Sequence, residues 1–227
     1  MKDKLEKILP SFARLPILLV VLFNMTIYYL LPIILTDNIK RYDLSLTIDK
    51  KLPFVPFFLL FYVLAYLQWI GSYVYHCRES RQLCYRMTMA DMIAKFLCML
   101  CFIFLPTQIV RPEIMGNGIF EMGTQFIYDV DKPINLFPSI HCLESWICFR
   151  TSLMMKKKNL YYITAQGIFS LLVFASTVLI KQHFVIDIPA GILAVEIGLL
   201  LSGRFKMWRL MEKIQLFFTR KQTEKVA

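Results

Sequence analysis

Three residues of the chain combine side chains suited to phosphoryl transfer with a spacing that could bring them together: Arg111, His141 and His183. There are only 3 histidines, and His76 falls in a basic loop where it is assigned no role. His141 follows Phe137-Pro138-Ser139-Ile140, a sequence that opens a helix with proline, a residue well tolerated there. The unpaired N–H groups and positive dipole end of such a helix form an anion site, with the Ser139 hydroxyl beside it. In His183-Phe184-Val185-Ile186-Asp187 a carboxylate follows the imidazole by four residues, on one helical face. It holds one ring nitrogen as N–H and leaves the other as a nucleophile. Arg111 adds a planar donor that suits phosphate oxygens. A cation, an anion-binding helix end, an acid/base histidine and a histidine–carboxylate pair are the parts that phosphoryl transfer needs.

Apolar helices must position these groups. The hydrophobic fraction is 57%, above the roughly 45–50% of soluble domains, and mean hydropathy is +0.55. Charged residues make up 19%. Leu15–Thr36 and Leu52–Tyr75 carry no charge at all, and a bilayer core about 30 Å thick needs about 20 apolar helical residues. This composition excludes a disordered chain, a collagen-like repeat and a disulfide scaffold. Six spans are expected, at Leu15–Leu35, Phe54–Tyr75, Ala90–Val110, Pro138–Met155, Asn159–Ile180 and Phe184–Leu201. The fold class expected is all-α: a polytopic bundle of six transmembrane helices. The first run is too long for a signal-peptide core and lacks a small-residue cleavage site, so it counts as a helix.

The net charge of +10 does not point to nucleic acid, because the basic residues sit between apolar runs and at the ends. Alternating loops place 18 Lys and Arg on one side and 7 on the other, with Lys95 inside a span. The positive-inside rule makes the richer side, and both termini, cytoplasmic. The organisation expected is a basic segment 1–14, a membrane domain 15–201 with its motifs in 111–191, and a basic tail 202–227. In that tail Met207, Leu210, Met211, Ile214, Phe217 and Phe218 recur at helical spacing, the pattern of an interfacial helix, with a solvated tail as the alternative. His141 and His183 lie 42 positions apart, about 63 Å of helix or two bilayer crossings. Arg111 ends the third span on the same, outer face.

Other polar residues have plainer readings. Cys98 and Cys101 lack the second ligand pair that zinc requires, and Cys77 and Cys84 lie on a reducing side where no disulfide is expected. Glu144 either lines the mouth of the site or bonds a neighbouring helix. Lys95 and Glu196, at similar depth, are expected to pair or to leave Lys95 snorkelling.

These residues resemble the type-two phosphatidic acid phosphatase superfamily of membrane lipid phosphatases, related to sphingolipid head-group transferases and vanadium haloperoxidases. Its first motif ends in Arg-Pro, as at Arg111-Pro112; its second is Pro-Ser-x-His, as at Pro138–His141. Its third runs from Ser to His in seven positions and on to Asp in four, as at Ser176, His183 and Asp187. The resemblance covers roughly residues 90–201. It implies that His183 attacks phosphorus, Asp187 orients it and His141 protonates the leaving oxygen. Arg111 and Ser139 would hold the phosphate, with no metal and no cofactor. The pattern departs from the family at Phe104, where a Lys is usual, at Thr177, where an Arg is usual, and at Ile140 in place of Gly. Two of three phosphate-binding cations are thus replaced, as in the divergent branch that includes the sphingolipid synthases. Lys181, on the same face, is either the substitute cation or a snorkelling surface lysine. The function expected is hydrolysis of a lipid or isoprenoid phosphate at the outer side of the cell membrane. Head-group transfer to an alcohol is the alternative, and a non-catalytic transporter or structural protein the third reading.

Overall fold

The computed structural model describes residues 6–35 and 39–224. Lys2, Lys4 and Lys225, counted above on the cytoplasmic side, lie outside the described residues, as do positions 36–38 of the first outer loop.

Helix α1 (Ser11–Met25) continues through a π-helical stretch, Thr26–Leu30, into a last turn at Leu31–Ile34. A short α2 (Thr47–Lys51) and a 3₁₀ turn (Pro56–Phe58) lead into α3 (Leu59–Glu79). Ser80 ends α3 in an extended conformation and caps α4 (Arg81–Phe104), its Oγ accepting from the Leu83 N–H at 3.2 Å. The expected loop at 76–89 is therefore a single-residue corner. One serine both breaks one helix and satisfies the first turn of the next.

Next come α5 (Ile119–Val130), α6 (Ile140–Ser152), α7 (Leu160–Leu179), α8 (Asp187–Arg204) and α9 (Trp208–Glu224). No strand occurs among the described residues; two isolated bridges, Tyr42 with Thr107 and Gln108 with Ile134, tie loops together at one end.

Among the described residues four helical segments are long and apolar enough to cross a membrane: Ser11–Leu30, Pro56–Glu79, Arg81–Phe104 and Leu160–Leu179. A fifth arises if α8 and Trp208–Phe218, bent by 70° from it, count as one broken span. The other two expected spans differ for physical reasons. Helix α6 has 13 residues, about 20 Å, shorter than a bilayer core of about 30 Å. It packs against α3, α4, α7 and α8, with Cys142–Ser145, Ile147, Cys148, Thr151 and Ser152 buried. A helix sheathed in protein needs neither the length nor the apolar surface of a lipid-facing one. Helix α8 carries Asp187, Glu196 and Arg204.

Helix α4 is central and packs most extensively against α8. A Cβ at Gly198 would lie 2.3 Å from the Ala90 carbonyl oxygen, so only glycine permits this approach. Helix α5 falls where a plain outer loop was expected. Phe120 and Ile127 pack on Leu59, Tyr62 and Ile180, while Ile119, Met122, Phe126 and Val130 form an exposed apolar stripe.

Lys95 and Glu196 do not pair. The Lys95 ammonium contacts Asp91 at 3.0 Å and also Glu144, whereas Glu196 binds Arg150 (2.5 and 3.0 Å) and the Trp146 indole N–H (2.8 Å). Asp91 lies one turn before Lys95 on the same helix face, a nearer partner than any on α8.

Candidate active site

The loops at one end of the bundle are joined by hydrogen bonds across long stretches of sequence. Tyr42 donates to Pro106 and Gln108 to Tyr42, at 2.9 and 3.0 Å. Thr107 Oγ1 accepts from the Leu136 N–H at 2.8 Å. Asp49 Oδ1 accepts from the Val185 N–H at 2.7 Å. At this end lies an open cavity of about 490 Å³. Its walls include Tyr28, Tyr66, Trp69 and Phe102, and its polar lining includes Asp131, His141, Gln182 and His183.

His141 is the second residue of α6. Ser139 caps that helix, its Oγ accepting from the Cys142 N–H at 3.3 Å, and Pro138 precedes the cap rather than opening the helix. The His141 ring stacks on Tyr62 at 4.0 Å between centroids, with Trp69 at 5.1 Å and Tyr66 at 5.7 Å edge-on. Its Nε2 is buried without a hydrogen-bond partner among the described residues.

His183 reaches the same cavity from a turn. After α7, the Thr177 carbonyl accepts from both the Gln182 and His183 N–H groups, at 2.9 and 3.0 Å. His183 Nδ1 lies 3.0 Å from Asp187 Oδ2, which also accepts from the Phe184 N–H at 3.1 Å. The pair therefore forms across a turn that ends where α8 begins, three residues later than the expected span, and not along a helix face. A neutral imidazole held this way carries its proton on Nδ1 and its lone pair on Nε2. The two histidine rings are 6.2 Å apart. A Cβ at Gly191 would stand 2.8 Å from the Ser139 carbonyl oxygen, so glycine lets the start of α8 press against the start of α6.

The other expected phosphate ligands stand around the cavity rather than in its lining. Arg111 Nη1 donates to the carbonyls of Tyr128 (3.1 Å) and Asp131 (2.6 Å), Nη2 donates to Gln182 Oε1, and the guanidinium lies 4.6 Å over the Tyr128 ring. Burial lowers its pKa, opposed by Asp131. Burial raises the Asp131 carboxyl above the usual carboxylate range, opposed by Arg111, His183 and the Tyr28 hydroxyl. Burial also pushes the Tyr128 phenol up to about 12. Ser139 is fully buried at its cap.

Lys181 departs from its expected role. It sits in a left-handed turn, φ 54°, and its ammonium donates to the carbonyls of Asp49 (3.1 Å) and Leu52 (2.6 Å). That turn directs the side chain to α2, away from the cavity. Glu144 bonds Lys95 and Tyr73 and is not in the cavity lining. Among the described residues no group of three or more His, Cys, Asp or Glu side chains is placed to hold a metal.

Sequence reasoning missed Gln182, Asp131 and the aromatic wall. Tyr62, Tyr66 and Trp69 recur at i, i+4 and i+7 on α3, a readable helical stripe. Gln182, beside His183, carried no comparable signal. No protein-family model, curated protein or solved structure matches the chain.

Proposed function

We propose that the protein is an integral-membrane phosphatase for a lipid or isoprenoid phosphate, working through a phosphohistidine. The observation that carries this reading is the pairing of His183 Nδ1 with Asp187 beside a cavity that also holds the unpartnered His141 Nε2. Phosphoryl transfer needs a nucleophile with a fixed tautomer and a proton donor on the opposite side of phosphorus. In this mechanism His183 Nε2 attacks, the bond from phosphorus to the leaving oxygen breaks, and His141 gives that oxygen its proton. Water then resolves the phosphohistidine. The aromatic and aliphatic walls suit the apolar body of a lipid, and the exposed stripe on α5 suits the membrane interface. The likeness to the type-two phosphatidic acid phosphatases supports the same assignment.

A second reading, head-group transfer to an alcohol, is favoured by Phe104 and Thr177 standing where that family carries cations. The first half-reaction is common to both. Purified protein given a panel of lipid phosphates, with and without acceptor alcohols, is expected to release inorganic phosphate. Phosphorylated alcohol instead of phosphate selects transfer; neither product removes both readings.

The site is proposed to face the outside of the cell membrane, on the 18-to-7 asymmetry of basic residues. In intact cells, a cysteine placed at position 132 of a cysteine-free variant should react with an impermeant maleimide and one at 157 should not. The reverse pattern puts the chemistry inside.

A further inference from the structure

Gln182 is 1% exposed and lines the cavity next to His183. Its Oε1 accepts from Arg111 Nη2. Arginine has donors only, so the oxygen end of the amide must face it. The Nε2 end is thereby fixed on the other side, and it has no hydrogen-bond partner among the described residues. A buried N–H donor left unsatisfied costs about 1–3 kcal/mol, so this one marks the place of an acceptor. Arg111 itself is not part of the cavity lining; three of its five N–H donors go to two carbonyls and to Gln182, and its Nε is buried without a partner among the described residues.

We infer that Gln182 binds the substrate phosphate directly, its Nε2 donating to a phosphate oxygen, and that Arg111 acts on the phosphate through Gln182 rather than by contact. This rests on the cavity being a phosphate site, as proposed above. A guanidinium donating to Oε1 draws electron density from the amide and makes Nε2 a stronger donor. A neutral amide thus conveys part of a half-buried cation's charge to the cavity, next to the nucleophile. The amide fills a phosphate-binding position, and Arg111 is a positioning residue behind it.

Equilibrium binding of inorganic phosphate to the purified full-length protein in detergent tests this without requiring turnover. Gln182→Leu should weaken phosphate binding at least 10-fold. Arg111→Met should weaken it less, and the double variant should bind no worse than Gln182→Leu alone. Gln182→Glu keeps an acceptor for Arg111 and the packing but offers no N–H, so it covers the case in which Gln182→Leu does not fold; it too should lose at least 10-fold. Wild-type affinity in Gln182→Glu, a greater loss from Arg111→Met than from Gln182→Leu, or no phosphate binding by the wild-type protein overturns the inference. Phosphate binding that depends on Gln182 in a protein that turns over no lipid phosphate would keep this inference and remove the proposed activity. Turnover with binding indifferent to Gln182 would do the opposite.

Discussion

Replacing His183 with alanine is expected to lower turnover by on the order of 10⁴-fold or more and to abolish any acid-labile phosphoenzyme. Among the described residues nothing else lining the cavity combines a free lone pair with a carboxylate that fixes its tautomer: His141 Nε2 has no partner among them, but its ring is held by stacking on Tyr62. His141→Ala should fold, because the ring leaves a cavity rather than an unsatisfied partner. It should cost roughly 10²–10⁴-fold with a poor alcohol leaving group and far less with nitrophenolate, which departs without a proton. Asp187→Asn should retain the fold and lose rate, since an amide neither favours the Nδ1–H tautomer nor stabilises the developing imidazolium. Rapid quench after labelled substrate reads the intermediate directly. Wild-type turnover by His183→Ala would end the phosphohistidine mechanism and return the transporter or structural reading to the front.

What was legible in the sequence follows from the range of each interaction. His183 and Asp187 were readable as a pair because four residues separate them, although a turn and not a helix joins them. The apolar runs marked α1, α3, α4 and α7 because lipid-facing length writes itself into composition. Helix α6 misled as a span because its surroundings are other helices, and no local pattern distinguishes a protein sheath from a lipid one. Gln182 was invisible for a similar reason: the direction of its amide is set by Arg111, 71 positions away. Lys181 shows the converse. Its place beside His183 suggested a phosphate ligand, yet a positive φ turns its chain toward the carbonyls of Asp49 in α2 and of Leu52 at its end.

Lys95→Met is expected to destabilise the protein by about 3–5 kcal/mol, the usual cost of stranding buried charge. The ammonium is 1% exposed and stands between Asp91 and Glu144, which are 0% and 8% exposed. Removing it leaves two carboxylates facing each other in a low dielectric. One carboxylate is already in excess over the single cation, with Asp91 Oδ1 lacking a partner among the described residues, so Asp91→Asn alone should cost less than Lys95→Met. The triple replacement Lys95→Met, Asp91→Asn and Glu144→Gln should recover much of the loss, because a neutral cluster has no charge to strand. Unfolding of each variant in detergent, arranged as a mutant cycle, gives the coupling energy; additive losses would mean that the three side chains do not act as a unit. Glu144 lies one turn beyond His141 on α6 and is also bonded by Tyr73 of α3 at 3.2 Å. The cluster therefore fixes the rotation of the short helix that carries His141. A short, largely sheathed helix has little lipid contact to orient it, and a buried ion pair with a defined geometry supplies the direction that the apolar packing leaves open.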